Sequence, residues 1–324
     1  MEPAVPNKPL LEVRSLSVHF LLKCSVVRAV EAVDLQIRPG ETVGLAGESG
    51  CGKSTLARAI LGLVPHPGRV VAGEILFDGR DLLRLSDTAL RGIRGTDLSL
   101  IFQDPSSFLN PTVSVGRQIC DVIMAHSDLD FRQARERAFG LLEDLGIPEP
   151  KHHFRSFPHE LSGGMKQRAL IAMAICADPR LVIADEPTTA LDVTIQRQIL
   201  ELIKEKVIGG GSALLFITHD LSILAEICDR VYTMYAGRVV EHGRTLDFFA
   251  KPLHPYTRKL LAAIPRHDLK RPLSEIPGSP PRLDDLPPGC SFCPRCDLRS
   301  PRCLSEAPAL REREPEHWVS CHNV

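Results

Sequence analysis

The sequence of 324 residues predicts an α/β fold in three parts: a core of short strands and helices, a helical insertion, and a C-terminal appendage. Short apolar runs that end in polar residues indicate strands, as in ETVGLAG, GEILFDG, RLVIADEP and ALLFITHD. Residues 114–178 are helical in pattern instead. Thirteen of the 26 prolines lie in residues 252–315, which predicts a largely irregular appendage.

Composition and charge narrow the function classes. The chain is 44% hydrophobic and 24% charged, as is ordinary for a globular protein. A formal net charge of −1 argues against nucleic acid as the main partner, because phosphate binding needs a basic surface. The longest apolar run, residues 169–177, is shorter than the ~20 residues that span a bilayer, and no signal peptide is visible. We therefore expect a cytosolic chain with reduced thiols.

The first part of the core contains a phosphate-binding motif. Alternating residues over 10–47 predict short antiparallel strands, and residues 47–54, GESGCGKS, fit G-x4-G-K-[ST] between a strand and a helix. Backbone N–H groups of such a loop close around phosphates, and the helix N-terminus adds a favourable dipole. Lys53 would hold the β- and γ-phosphates, and Ser54 would ligate Mg²⁺. The predicted nucleotide contacts from this loop are Gly47, Glu48, Ser49, Gly50, Cys51, Gly52, Lys53, Ser54 and Thr55.

Cys51 lies two residues before Lys53, and two interpretations stay open. The lysine and the helix N-terminus could stabilise a reactive thiolate. Alternatively, Cys51 fills a variable position of the loop and has no chemical role.

A second motif supplies carboxylates. Residues 181–186, LVIADE, read as a buried strand that ends in Asp185 and Glu186. Asp185 can join the Mg²⁺ shell as a Walker-B aspartate, and Glu186 is placed to activate water for attack on the γ-phosphate. Two acids that merely solvate a strand end would be the simpler interpretation without the preceding phosphate-binding loop.

Four further motifs carry a family resemblance. LSGGMKQR (161–168), IFQDP (101–105), ALD (190–192) and ITHD (217–220) match the signature, Q-loop, D-loop and H-loop of ABC-transporter ATPases. With the P-loop, they occur in the family's order and cover about residues 10–245. The chain thus resembles this family, which implies a P-loop NTPase ABC core with an antiparallel β subdomain and a helical subdomain.

The resemblance implies roles for individual residues. Two such domains pack head to tail, so Ser162, Gly163 and Gly164 would contact ATP held by the partner. Gln103 would sense Mg²⁺ and the attacking water. The other implied contacts are His219 to the γ-phosphate, Asp192 across the dimer, and Phe20 stacked on adenine, although Phe20 could equally be a core residue.

The resemblance narrows further to peptide importers. ADEPTTALDVTIQ (184–196) and HPYTRKLLAAIP (254–265) resemble the D-type ATP-binding subunits of dipeptide and oligopeptide importers. This implies an ATPase domain over residues 1–250 and an importer-type C-terminal region over residues 251–324. It also implies a paralogous ATPase partner, two membrane permeases, an external peptide-binding protein, and a position at the cytoplasmic face of the membrane.

Alternative functions stay open at this point. Relatives with similar tails import nickel or glutathione instead of peptides. A soluble ABC ATPase of DNA repair or translation is disfavoured, because those proteins usually carry tandem ATPase domains or a long coiled coil. A redox-sensing regulator is supported only by the cysteines of the tail.

Half of the ten cysteines lie in the last 35 residues, in GCSFCPRC and beyond. Clustered thiols in a reducing compartment suit a [4Fe–4S] cluster or tetrahedral zinc, and they could also be free. The family resemblance favours iron–sulfur, with Cys290, Cys296, Cys303 and Cys321 as ligands. Cys293 departs from the family pattern and is interpreted as a spare thiol, although Cys290-x2-Cys293-x2-Cys296 also resembles a ferredoxin ligand set. A structural staple for the proline-rich tail is the favoured role.

Overall fold

The computed structural model describes residues 8–189, 191–264 and 275–324. The predictions that involve residues 1–7, Ala190 of the ALD motif, or Pro265 of the HPYTRKLLAAIP segment lie outside this part. The strands are β1 (Leu11–Leu21), β2 (Val26–Ile37), β3 (Thr42–Ala46), β4 (Gly68–Phe77), β5 (Arg80–Asp81), β6 (Leu98–Ile101), β7 (Leu181–Asp185), β8 (Ala213–Thr218), β9 (Arg230–Tyr235), β10 (Arg238–Arg244), β11 (Arg311–Glu314) and β12 (His317–Val319).

The helices follow the same numbering along the chain. They are α1 (Lys53–Ile60), α2 (Asp87–Ile93), α3 (Pro105–Phe108), α4 (Val115–Ala125), α5 (Phe131–Asp144), α6 (Pro150–His153), α7 (Gly163–Ile175), α8 (Val193–Ile203), α9 (Leu221–Ile227), α10 (Thr245–Ala250), α11 (Pro255–Ala262) and α12 (Pro301–Ser305). Among the described residues, none of these helices has the length and apolar character needed to cross a bilayer.

The described residues form two compact units. The first contains residues 8–38, 42–84, 216–264 and 275–324, and the second contains residues 39–41 and 85–215 except Ala190. The C-terminal region therefore belongs to the same unit as the P-loop. The domain boundary predicted at residue 250 falls between α10 and α11, which both belong to the first unit, so this boundary stays a prediction.

An antiparallel sheet opens the first unit, with strand order β2-β1-β4-β5. Leu11 of β1 lies opposite Ile37 of β2 and Phe77 of β4, and all three side chains are buried. Alternation of apolar and polar residues places one face of these strands in the core, as the sequence predicted for residues 10–47.

The other sheet of the first unit has the order β11-β12-β10-β9-β3-β8. β3 runs parallel to β9, and all five residues of β3 are buried, which explains why TVGLA reads as a continuous apolar run. In the second unit the order is β8-β7-β6, and β6 and β7 are parallel. The boundary between the units falls inside β8, after Leu215.

Helices α4 to α7 occupy the segment predicted to be helical. α5 begins with a capping box, in which the Asp130 side chain accepts the Gln133 N–H and the Gln133 side chain accepts the Asp130 N–H. Its buried face carries Ala134, Ala138 and Leu142, which recur at the i, i+4, i+8 spacing of a helix that packs on one side.

The C-terminal tail contains two strands that the sequence did not predict. β12 pairs with β10 and β11 pairs with β12, so the tail extends the sheet that contains β3. Glu241 of β10 is fully buried and accepts hydrogen bonds from the N–H groups of Leu253 (2.6 Å) and His254 (2.8 Å). His317 Nε2 of β12 lies 2.8 Å from the same carboxylate, which anchors the end of the chain.

Candidate functional site

The P-loop joins β3 to α1 and contains two glycines at which a side chain would clash with neighbouring backbone. Gly47 has a φ of 151° and Gly52 a φ of 108°, both in the region that L side chains rarely adopt. A Cβ at Gly47 would lie 2.2 Å from the Met234 carbonyl oxygen, and one at Gly52 would lie 2.1 Å from that of Ala29. The loop therefore packs directly against backbone on both sides, and α1 starts without a side-chain cap on its N-terminal N–H groups.

The side chain of Lys53 stabilises the P-loop by hydrogen bonds to its backbone. Its Nζ donates hydrogen bonds to the carbonyl oxygens of Gly47 (2.8 Å) and Glu48 (3.1 Å), and its side chain is buried. Ser49 and Gly50, at the tip of the loop, are exposed. Ser54 and Thr55 follow Lys53 in the first turn of α1 and are partly buried. This arrangement suits the predicted role, because the ammonium group is already oriented by the loop that is expected to surround phosphates.

The burial of Cys51 argues against the reactive-thiolate interpretation. Burial raises the pKa of the Cys51 thiol, and the opposing influence of Lys53, whose Nζ lies 3.8 Å from Sγ, is smaller. Only 5% of Cys51 is exposed. Desolvation of the charged form therefore outweighs the nearby cation, which leaves a protonated packing residue.

In the second unit, β7 ends in the two predicted carboxylates. Asp185 is 6% exposed, and Glu186 directly follows it with a φ of 46°. A non-glycine residue in this left-handed region is strained and needs support from its surroundings. Gln103 Nε2 (3.2 Å) and Thr189 Oγ1 (2.9 Å) both donate to the Glu186 carboxylate. The structure thus brings the predicted Q-loop glutamine and the predicted base together.

The signature and D-loop residues also lie in the second unit. Ser162 caps α7, because its Oγ accepts the Met165 N–H (3.3 Å), and Ser162 and Gly163 are exposed. Gly164 is buried, and a Cβ there would lie 2.9 Å from Ile195 of α8. Asp192 caps α8 by accepting the Ile195 N–H (3.0 Å). Gly164 and Asp192 therefore have structural functions within this chain in addition to their predicted roles.

Two other predicted contacts lie in the first unit. His219 directly follows β8 and is exposed. Phe20 lies on β1, where its ring approaches Gly68 so closely that a Cβ there would be 2.7 Å from Cε1. Its side chain is only partly buried, so both interpretations of Phe20 stay predictions.

Sequence reasoning missed the residue that holds Glu48. Arg295, within CPRC, donates to both carboxylate oxygens of Glu48 at 2.7 and 2.9 Å. Tyr256 Oη accepts the Glu48 N–H at 2.8 Å. The pairing of Glu48 with Arg295 raises the pKa of the guanidinium far above its ordinary value. The partners are 247 residues apart, and no local pattern predicts such a contact.

The cysteines of the tail meet in one place. A small cavity in the first unit is lined by Cys290, Cys293, Cys296, Cys303 and Cys321, together with other residues that include Phe292 and His254. Burial raises the pKa of Cys290 to about 11. Burial also disfavours the Cys303 thiolate, but hydrogen bonds from Ser300 and Asn323 outweigh it and lower the pKa of Cys303.

The expected metal centre itself is not supported by side-chain placement. Across residues 8–189, 191–264 and 275–324, no three His, Cys, Asp or Glu side chains are arranged so that they could hold a metal ion. The set of donors is still chemically suited to a metal, since sulfur is the usual ligand of both iron–sulfur clusters and structural zinc. Cys293 lines the same cavity as the four predicted ligands, so this position does not single it out as a spare thiol.

Known proteins match this chain over nearly its whole length. The ABC transporter family matches residues 30–189, and the family described as the C-terminal region of oligopeptide/dipeptide transporters matches residues 240–303. A dipeptide transport ATP-binding protein of Bacillus subtilis is 46% identical over 96% of this chain and 94% of its own length. The chain belongs to the ATP-binding subunits of ABC transporters.

Other comparisons of this ABC ATPase agree. An oligopeptide transport ATP-binding protein of Bacillus subtilis is 45% identical, over 96% of this chain and 87% of its own length. A dimeric ATP-binding cassette solved in a post-hydrolysis state with ADP and Pi has a TM-score of 0.65 and 26% identity, over 72% of this chain and 98% of that one. The ABC cassette fold predicted from the motifs is therefore confirmed, and the chain is an ABC ATPase, for which ATP and Mg²⁺ are expected.

Proposed function

We propose that this ABC ATPase powers the import of dipeptides or oligopeptides. The observation that carries the proposal is the match over residues 240–303 to the C-terminal region of oligopeptide/dipeptide transporters, since the ATPase core alone is common to many transporters. Relatives named for dipeptide and for oligopeptide transport align over 96% of the chain.

The residues act on ATP in the following way. Lys53 and the N–H groups of the P-loop bind and orient the phosphates. Ser54, Asp185 and Gln103 are the residues predicted to ligate Mg²⁺, which would supply positive charge against the phosphates. Glu186 orients the attacking water and withdraws its proton, since its carboxylate is fixed by Gln103 and Thr189. His219 then stabilises the γ-phosphate as charge develops there.

The proposed assembly has four kinds of component. A paralogous ATPase forms a heterodimer with this chain, and the exposed Ser162 and Gly163 are available to contact nucleotide that the paralogue holds. Two permeases form the membrane channel, and an external binding protein delivers the peptide. The chain itself sits peripherally at the cytoplasmic face of the membrane.

Reconstitution tests the function. The chain is placed in vesicles with the proposed paralogue, permeases and binding protein from the same organism, and uptake of labelled dipeptide and pentapeptide is measured with ATP. We expect uptake that Lys53→Ala abolishes, and ATP hydrolysis that rises with peptide-loaded binding protein. Uptake of nickel or glutathione with no uptake of either peptide would replace the peptide assignment, and no transport of any of these would reject it.

We further propose that the tail cysteines hold a [4Fe–4S] cluster through Cys290, Cys296, Cys303 and Cys321. What supports this is the meeting of these thiols at one cavity in a proline-rich region. The cluster would act as a structural crosslink.

Iron and sulfide analysis of anaerobically purified protein tests the cluster. We expect a brown protein with about four iron and four sulfide per chain, and loss of most iron in Cys321→Ser but not in the matched variant Cys293→Ser. Iron loss in Cys293→Ser alone would mean the ferredoxin-like ligand set. One zinc per chain, or no metal, would reject the cluster.

A further inference from the structure

Arg295 is a buried cation in the tail, and every N–H group of its guanidinium donates a hydrogen bond. Its side chain is 4% exposed. Besides the two bonds to Glu48, it donates to the carbonyl oxygens of Pro277 (2.9 Å) and Ile276 (3.4 Å) and to Tyr235 Oη (3.3 Å). A guanidinium so fully bonded has one orientation, and a planar fork matched to a carboxylate fixes its partner too.

Glu48 is held at three points as a result. Arg295 binds its carboxylate, Tyr256 Oη accepts its N–H, and Lys53 Nζ donates to its carbonyl oxygen. Glu48 follows Gly47, the first glycine of the P-loop, so its backbone is part of the surface expected to face phosphates. Its side chain is 24% exposed.

The charge of Glu48 needs compensation at this place. ATP carries several negative charges, and an unpaired carboxylate in the loop that binds them would repel the nucleotide. Arg295 cancels that charge and stops the carboxylate from rotating toward the phosphates. Neither effect needs contact between Arg295 and ATP.

We propose that Arg295 is a positioning residue for ATP binding, acting through Glu48 on the shape and charge of the P-loop. The cysteine-bearing tail is then part of the nucleotide-binding apparatus. This inference goes beyond the proposed transport function, because it concerns ATP and does not depend on which solute is imported.

The simpler alternative is that the pair only fastens the tail. Removing one partner of a buried ion pair usually destabilises a protein, so a lower melting temperature in a variant would not distinguish the two. Nucleotide affinity and its dependence on charge do distinguish them.

Binding of a fluorescent ATP analogue with Mg²⁺ to the purified full-length chain tests the proposal. We expect Arg295→Gln to raise the Kd at least about tenfold, which corresponds to about 1.4 kcal/mol, and the defect to shrink as salt screens the exposed charge. Arg295→Lys, which keeps the charge but not the fork, should lose less. The double variant Glu48→Gln with Arg295→Gln should recover most of the affinity, because the repelling charge is gone.

Arg282→Gln is the matched control. Arg282 forms a similar two-bonded pair with Asp284 in the same tail, but its side chain is 80% exposed and far from any predicted phosphate contact in sequence. We expect its Kd to equal that of the wild type. A folded Arg295→Gln protein that binds within twofold of the wild type would overturn the proposal. A double variant as weak as Arg295→Gln would also overturn it. A failure of peptide transport would bear neither on this proposal nor on the alternative that the pair only fastens the tail.

Discussion

The stability of the tail should depend on pH through His254. This residue is buried and caps α11, where its Nδ1 accepts the Tyr256 N–H at 3.0 Å. Burial lowers the pKa of His254 to about 4, and the opposing attraction of Glu241 is smaller. Arg258, four residues on, lowers it further. The folded state therefore holds the imidazole neutral at pH values where an exposed one takes up a proton.

The sign and the size of the effect follow from proton linkage. Above a pH of about 6.5 both states are neutral, and His254 contributes no dependence. As the pH falls from there to about 4, only the unfolded state takes up the proton, so the free energy of unfolding decreases. At pH 5, about 1.5 units below the ordinary pKa of histidine, protonation of the unfolded state lowers the free energy of unfolding by about 2 kcal/mol, at 1.36 kcal/mol per unit. Burial also lowers the pKa of His242, to about 3, which adds a similar loss.

Urea unfolding of the full chain at pH 7.5 and pH 5.0 measures this. The test variant is His254→Asn, because an asparagine oxygen can still cap α11 but does not titrate in this range. We expect the wild type to lose about 2 kcal/mol more than the variant between the two pH values. Replacing the exposed His159 by asparagine should leave the loss unchanged. Equal losses in the wild type and His254→Asn would show that burial of this imidazole does not control the acid stability.

Two further predictions concern the P-loop and the base. Glu186→Gln should retain MgATP binding but lower steady-state hydrolysis at least ~10²-fold, since the predicted base is lost and the P-loop is intact; near-normal turnover with the site of the proposed partner ATPase disabled would refute the assignment. Cys51 should be alkylated by iodoacetamide at least about tenfold more slowly than the exposed Cys24, as measured by peptide mass spectrometry, because burial raises its pKa. Equal rates would contradict this.

The sequence predicted the elements that depend on local pattern. Alternation over residues 10–47 predicted β1 and β2, and the β3–P-loop–α1 order follows from one motif. The helical insertion was visible because apolar residues recur at helical spacing in segments such as α5. Glu186 was assigned from the strand that ends in two carboxylates and Gln103 from the family resemblance, and the structure joins the two side chains by a hydrogen bond.

What the sequence could not show depends on distant partners. β12 is three residues long, and it becomes a strand because β10 offers an edge on which to pair. The low reactivity now expected of Cys51 follows from burial, which outweighs the adjacent lysine that the sequence displays. Arg295 appears in sequence only as a charged residue between two cysteines, and nothing local indicates that it is buried.

The position of Arg295 gives a physical reason for concentrating thiols in the tail. Residues 293–295 form a 3-10 turn, and Phe292 before it packs with Tyr235 and Tyr256 in a buried cluster. Arg295 lies between Cys290 and Cys296, two of the proposed cluster ligands, so a cluster held by both of them would fix the arginine. Because that guanidinium binds Glu48 in the P-loop, the conformation of the loop depends on the conformation of the tail. A proline-rich segment without a crosslink would leave the loop's charge uncompensated whenever it opened.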